Sequence, residues 1–238
     1  MNPSTHIHFD EDLRALKERL LYMGATALDM VDKSAHALRT RDTNTTESVF
    51  ELENIVNQLH VEVDDRCVKL FALHQPMAGD LRFLAAAMKV NSDLERIADQ
   101  AVNVAQTCHY HLFNEDPVPQ TEIVLDMAGI SHKMLRDALR AFDHKDVDLA
   151  RAVMALDEEE DRMKRTALTD LIEQIRVDPS HAEQFVDLIL LSKNYERVGD
   201  HATNVAEDVI FMTLGKDVRH HLSEDFILTP VRKDLLGS

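Results

Sequence analysis

Apolar positions in this chain recur every three to four residues over long stretches, the spacing that lays one apolar stripe along an α-helix. Leu188, Leu191, Tyr195, Val198, Ala202, Val205 and Val209 form one such stripe, and Leu94, Ile97, Ala101 and Val104 another. Read this way, the first half predicts three helices. They run from about Phe9 to Arg41, from the cap-forming Asn44-Thr45-Thr46 to about Phe71, and from Gly79-Asp80, with Asp80 as the cap, to about His111. His74-Gln75-Pro76 ends the second, because proline disfavours helix in the residue before it and lacks an N–H. Asn114 to Pro119 reads as a linker. Three more helices follow, from Thr121 to His144, from the capping Asp146 to about Arg176, and from Ala182 to Leu214. Val177-Asp178-Pro179-Ser180 separates the last two, and Gly215 closes the series as a C-terminal cap.

The two halves are one pattern written twice. Ala37 to Asp42 aligns with Ala141 to Asp146 at an offset of 104, and Val49 and Glu53 meet Val153 and Asp157 at the same offset. Leu94 to Ala105 aligns with Tyr195 to Ala206 at an offset of 101, with seven of twelve residues identical. The expectation is an all-α fold of two tandem three-helix bundles related by a pseudo-twofold internal repeat, over 8–113 and 119–214, with a tail at 215–238. Composition agrees: six glycines and six prolines in 238 residues are too few for the many turns of a β-sandwich or barrel.

Charge narrows the partners. A net charge of −17 repels phosphodiester backbones and anionic lipid, so nucleic acid is not expected and membrane contact would pass through partners. Cys67 and Cys108 lie far apart and form no CxxC, which fits two plain thiols in a reducing compartment. The polar start and the short, Asp187-interrupted run Phe185 to Leu191 suggest neither a signal peptide nor a membrane span, and a cytoplasmic location is expected. Met23 and Met30 fall on the first helix's apolar face as core filler.

The candidate chemistry lies in the repeated ERxxDxxxN segments. With the apolar stripe facing the core, Glu196 and Asp200 fall on the far side, roughly 140–180° away, and Asn204 continues their row. Glu95, Asp99 and Asn103 form the matching row in the third helix. Acids four residues apart on one face repel, and a cation relieves that repulsion. The fifth helix offers Asp157 and Asp161 as further oxygen ligands; the second offers Glu53 with Asn57, an amide in place of an acid. Carboxylate ligation suits hard cations such as Mg²⁺, Mn²⁺ or iron better than copper or zinc. A plain solvated helix face explains a lone pair of acids as well; the duplication of the row inside a repeat is what favours a site.

No ExxH, HExxH, Cys-His cluster, P-loop or GxSxG elbow is present. The His6-Ile7-His8 and His220-His221 pairs read as solvated chain ends. The residues leave three functional classes open: a non-enzymatic adaptor, a carboxylate-bridged metal-binding, storage or catalytic protein, and a purely structural helical protein.

His74-Gln75-Pro76-Met77-Ala78-Gly79-Asp80-Leu81-Arg82, Leu94 to Asp99 and Tyr195 to Glu207 together resemble the PhoU family, over about residues 8 to 214. The resemblance implies surface metal clusters: iron foremost, otherwise manganese, magnesium or zinc. One would be held by Glu95 and Asp99 with Glu53, the other by Glu196 and Asp200 with Asp157 and Asp161. Asn57 stands where the family pattern has an acid, so the first site should be the weaker. The resemblance also implies a negative regulator of phosphate uptake and of the phosphate-starvation response. Its partners would be the ATPase subunit of the phosphate ABC transporter and a sensor histidine kinase, and it would act as a homodimer or larger assembly. Asp80 and Arg82 flank a turn without a counterpart in the second half, and are candidate partner contacts.

Overall fold

The computed structural model describes residues 3–219, with side chains from residue 9 onward. Six helices carry the described chain: α1 (Pro3–Thr40), α2 (Thr43–Leu73), α3 (Gly79–Tyr110), α4 (Thr121–His144), α5 (Val147–Val177) and α6 (Ala182–Leu214). Short 3-10 turns at Leu112–Asn114 and Pro179–His181 join the neighbouring helices. The His6 and His8 side chains, the His220-His221 pair and the tail beyond residue 219 lie outside the described residues. Among the described residues no helix is long and apolar enough to cross a membrane.

The turn that joins α1 to α2 is repeated between α4 and α5. Arg41 (φ 59°) and Lys145 (φ 53°) each take a left-handed backbone, and each N–H reaches back to a carbonyl four residues earlier, Ala37 or Ala141. An aspartate follows each as N-cap: Asp42 accepts from the Asn44 N–H, and Asp146 accepts from the Leu149 N–H. The α2 cap is therefore Asp42 rather than Asn44-Thr45-Thr46, because the chain needs only one left-handed residue before the next helix can start. The α3 cap also differs from expectation. Ala78 holds that position with φ 45° and no capping side chain, while Asp80 is an exposed first-turn acid. There its charge favours the positive helix end without bonding to it. Helix α1 starts earlier than its periodicity suggests, with Pro3 first, where a missing N–H has no bond to lose.

Each half is a three-helix bundle, and α3 packs along α6 while α1 packs against α4. A single apolar core runs through both halves from Phe9 to Val218, and it includes every residue of the two stripes named above. Met23 and Met30 are fully buried within it. Polar ties also cross between halves. Lys17 pairs with Asp143 at 2.8 Å, Lys89 with the buried Asp208 at 2.9 Å, and the Tyr195 hydroxyl bonds Ser34 Oγ at 3.1 Å. Gly24 lies so close to Leu139 of α4 that a Cβ there would meet Cδ2 at 2.4 Å. Both cysteines are free and buried, and burial pushes each thiol up to about 12, so neither is a thiolate at neutral pH.

Candidate metal centre

Side-by-side packing of α3 and α6 brings part of each acid row, Asp99 with Asn103 and Asp200 with Asn204, onto one groove of about 810 Å³. Glu53, Asp99, Asp157 and Asp200 line it, together with Arg96 and Arg197, so both halves contribute to one surface. The repeat equivalences Arg96/Arg197, Asp99/Asp200 and Asn103/Asn204 are all found on its walls, one residue of each pair from each half.

In the first half the row is neutralised. Arg96 reaches Asp99 at 3.1 Å and Glu95 at 3.4 Å. Its side chain is 60% exposed, so these are surface pairs of about 0–1 kcal/mol and can be displaced. Glu53 is half-buried at the groove wall, and Asn57 is exposed.

The second half is richer in uncompensated charge. Glu196 is only 13% exposed and pairs with Lys164 of α5. The row is thus not an open ridge: α5 leans over Glu196, which a single helix's periodicity does not show. Arg165 reaches Asp161 at 3.4 Å along α5. Asp157 accepts from the Thr203 hydroxyl at 3.2 Å, and no ion pair is seen at Asp157 or Asp200 among the described residues. Burial holds the Asp157 carboxyl above its usual range, and Asp161, Glu196 and Glu158 add repulsion. Asp200 keeps a solvent-facing edge, yet partial burial, Glu196 and Asp157 push it up to about 6. The Lys164 ammonium is held charged by Glu196 first, then by Asp161 and Asp200. Asn204 donates to Asp93 at 3.1 Å, where His201 Nδ1 also sits at 2.8 Å.

Beneath this face lies a residue that motif spacing did not single out. Glu160 of α5 is 1% exposed. Ser131 of α4 donates to its Oε1, and its Oε2 lies against Gly199 of α6, where an added Cβ would come within 1.5 Å. Burial pushes it up to about 8, with Asp157, Asp200 and Glu196 as its repelling neighbours. The signal was a mismatch in the repeat: Val56, Ala27 and Ala98 occupy the matching positions of the first half.

Asp80 and Arg82 are remote from this groove's lining. The Arg82 side chain packs on Gly215, and its Nε faces the Met212 carbonyl at 3.4 Å, so it ties the start of α3 to the end of α6.

The donor set fits a hard cation: it is all oxygen, and a positive charge, the Lys164 ammonium, is already drawn into the second-half face. Among the described residues, no three His, Cys, Asp or Glu side chains are gathered closely enough to hold an ion as they stand.

Fold and face together define a duplicated, all-helical scaffold whose two halves each bring an aspartate of the repeated motif, Asp99 and Asp200, to one shared groove. The PhoU domain matches this chain twice, over residues 20–108 and 124–209. The chain belongs to the PhoU family. It is 35% identical over 213 residues to a phosphate-specific transport system accessory protein PhoU homolog of Pseudomonas aeruginosa, covering 89% of this chain and 88% of that one. A homolog from Thermotoga maritima is 30% identical over 217 residues, covering 91% and 94%. Among solved structures, PhoU from Pseudomonas aeruginosa superposes with a TM-score of 0.85 at 34% identity, covering 87% of this chain and all of that one. The phosphate transport system regulatory protein PhoU from Streptococcus pneumoniae gives 0.81 at 26% identity, covering 88% and 99%.

Proposed function

We propose that this chain is a non-enzymatic regulator of phosphate homeostasis, restraining phosphate uptake and the phosphate-starvation response when phosphate is plentiful. It would act by docking on the ATPase subunit of the phosphate ABC transporter and on its sensor histidine kinase. The observation that carries this reading is the match to phosphate-transport accessory proteins across both bundles, with the acidic groove shared between them. Asp157, Asp161, Glu196 and Asp200 are the residues proposed to hold a hard cation, magnesium, manganese or iron by donor chemistry, with Glu53, Glu95 and Asp99 as a weaker second set. Such an ion would cross-link α5 to α6 and alter the charge that the groove presents. Four of these carboxylates, Glu53, Asp99, Asp157 and Asp200, line an open groove rather than an enclosed pocket, which suits a docking face better than a metalloenzyme centre.

A phosphate-starvation reporter in a strain lacking this chain tests the proposal. The reporter is expected to stay on in excess phosphate and to be switched off by the returned gene. A deletion strain that responds normally to excess phosphate refutes the role.

A further inference from the structure

Helix α4 carries a basic ridge on its exposed stripe, opposite the positions that it buries in the core. Lys133, Arg136 and Arg140 form it, and all three are exposed. They converge on one carboxylate: Lys133 reaches Asp137 at 3.4 Å, Arg136 at 3.1 Å and Arg140 at 3.6 Å. Asp137 itself is buried. Burial alone would raise its carboxyl, but Arg136 and Lys133 together outweigh burial and hold the group below its usual range. Three cations around one anion leave two positive charges uncompensated, on a chain whose net charge is −17. The neighbouring Asp143 is taken up by Lys17. The fold does not require this ridge. At the repeat offset of 104 the matching positions of α1 are Asp29, Asp32 and His36, with Lys33 in the place of Asp137 and paired to Asp29. The signs are reversed at one register, so the packing of the bundles accepts either. Nor does the helix dipole account for it, because its effect is confined to the last turn and Lys133 and Arg136 stand well before His144.

Resting on the adaptor reading above, we infer that the C-terminal half of α4 is a docking surface for an acidic patch on a protein partner. Lys133 and Arg140 are seven residues apart, so the ridge spans about 10 Å along the helix. A compact acidic patch can meet it and leave the rest of this acidic chain out of contact. An extended polyanion, such as a nucleic acid or an anionic bilayer, would lie against more of the chain and be repelled. Asp137 already restrains the three long side chains, which lowers the entropic cost of ordering them in an interface. No residue of α4 lines the acidic groove between α3 and α6, so the chain presents two separate faces of opposite sign and suits partners of unlike charge.

Binding of the full chain to the purified transporter ATPase subunit and to the purified sensor kinase, measured at low and high salt beside thermal melts, tests this. Arg136→Gln/Arg140→Gln removes two cations, and adding Asp137→Asn gives a second variant in which no buried charge is left short of partners. Both are expected to weaken binding to at least one of the two proteins by about tenfold or more at low salt and to flatten its salt dependence. Arg136→Lys/Arg140→Lys, which keeps the charge, should retain most of the binding. If both Gln variants bind the two proteins as tightly as the native chain does, the ridge is no docking surface, while the adaptor reading stands. If the loss appears with phosphatidylglycerol vesicles and with neither protein, the surface is a lipid contact and the inference is overturned. If the native chain binds neither protein, the adaptor reading fails and this inference fails with it.

Discussion

Gly199 and Glu160 show how one side chain can dictate another across a helix seam. An alanine at 199 would drive its methyl into the Glu160 carboxyl, so Gly199→Ala alone is expected to destabilise the metal-free chain by about 1–3 kcal/mol. The same substitution in a Glu160→Val background restores the pairing that Val56 and Ala98 make in the first half, and should be close to neutral. Chemical denaturation of the two single variants and the double variant measures this as a coupling energy. Equal costs of Gly199→Ala in both backgrounds would mean that the close approach is not what excludes a side chain. At this scale the sequence was only partly legible. Glu196, Asp200, Asp157 and Asp161 announce themselves by spacing, since acids four apart on a helix share a face. Glu160 does not, because its meaning depends on what α4 and α6 place opposite it.

Among the elements, the duplicated left-handed turn separates backbone strain from side-chain work. Lys145 is exposed and takes the left-handed conformation, which glycine adopts without penalty. Lys145→Gly is expected to stabilise the chain by about 0.5–1 kcal/mol. Arg41 has the same backbone, but its side chain also ties down the linker. The guanidinium donates to the Leu112 carbonyl at 2.9 Å and to the Glu115 carbonyl, and lies over Phe113. Arg41→Gly should therefore lose stability where Lys145→Gly gains it, and denaturant midpoints of the pair decide the point. The helix order and most boundaries were legible, because a stripe that repeats every three to four residues and stops at Pro76 or Pro179 leaves little choice. The caps were less so. Asp42 rather than Asn44 starts α2, and Ala78 rather than Asp80 precedes α3, since a single left-handed residue can turn the chain more sharply than propensity suggests.

For the whole molecule, what matters is that two copies of one bundle are fused along α3 and α6, so that a face duplicated in sequence becomes one groove in space. The repeat made the two rows predictable; their joining across the α3–α6 seam was not, because offsets within a chain do not say which helices lie together. The basic side chains also escaped the sequence pattern. Arg96 closes over the first row, whereas in the second Lys164 meets Glu196 and leaves Asp157 and Asp200 to their own repulsion. On the proposed reading that difference would concentrate function in the second half, and complementation measures it directly. In a strain lacking this chain, grown in excess phosphate, the native protein and Asp157→Asn/Asp200→Asn are compared at equal abundance and matched melting temperature. The starvation reporter should be switched off by the native chain and stay on with the double variant; full repression by the double variant would contradict the account.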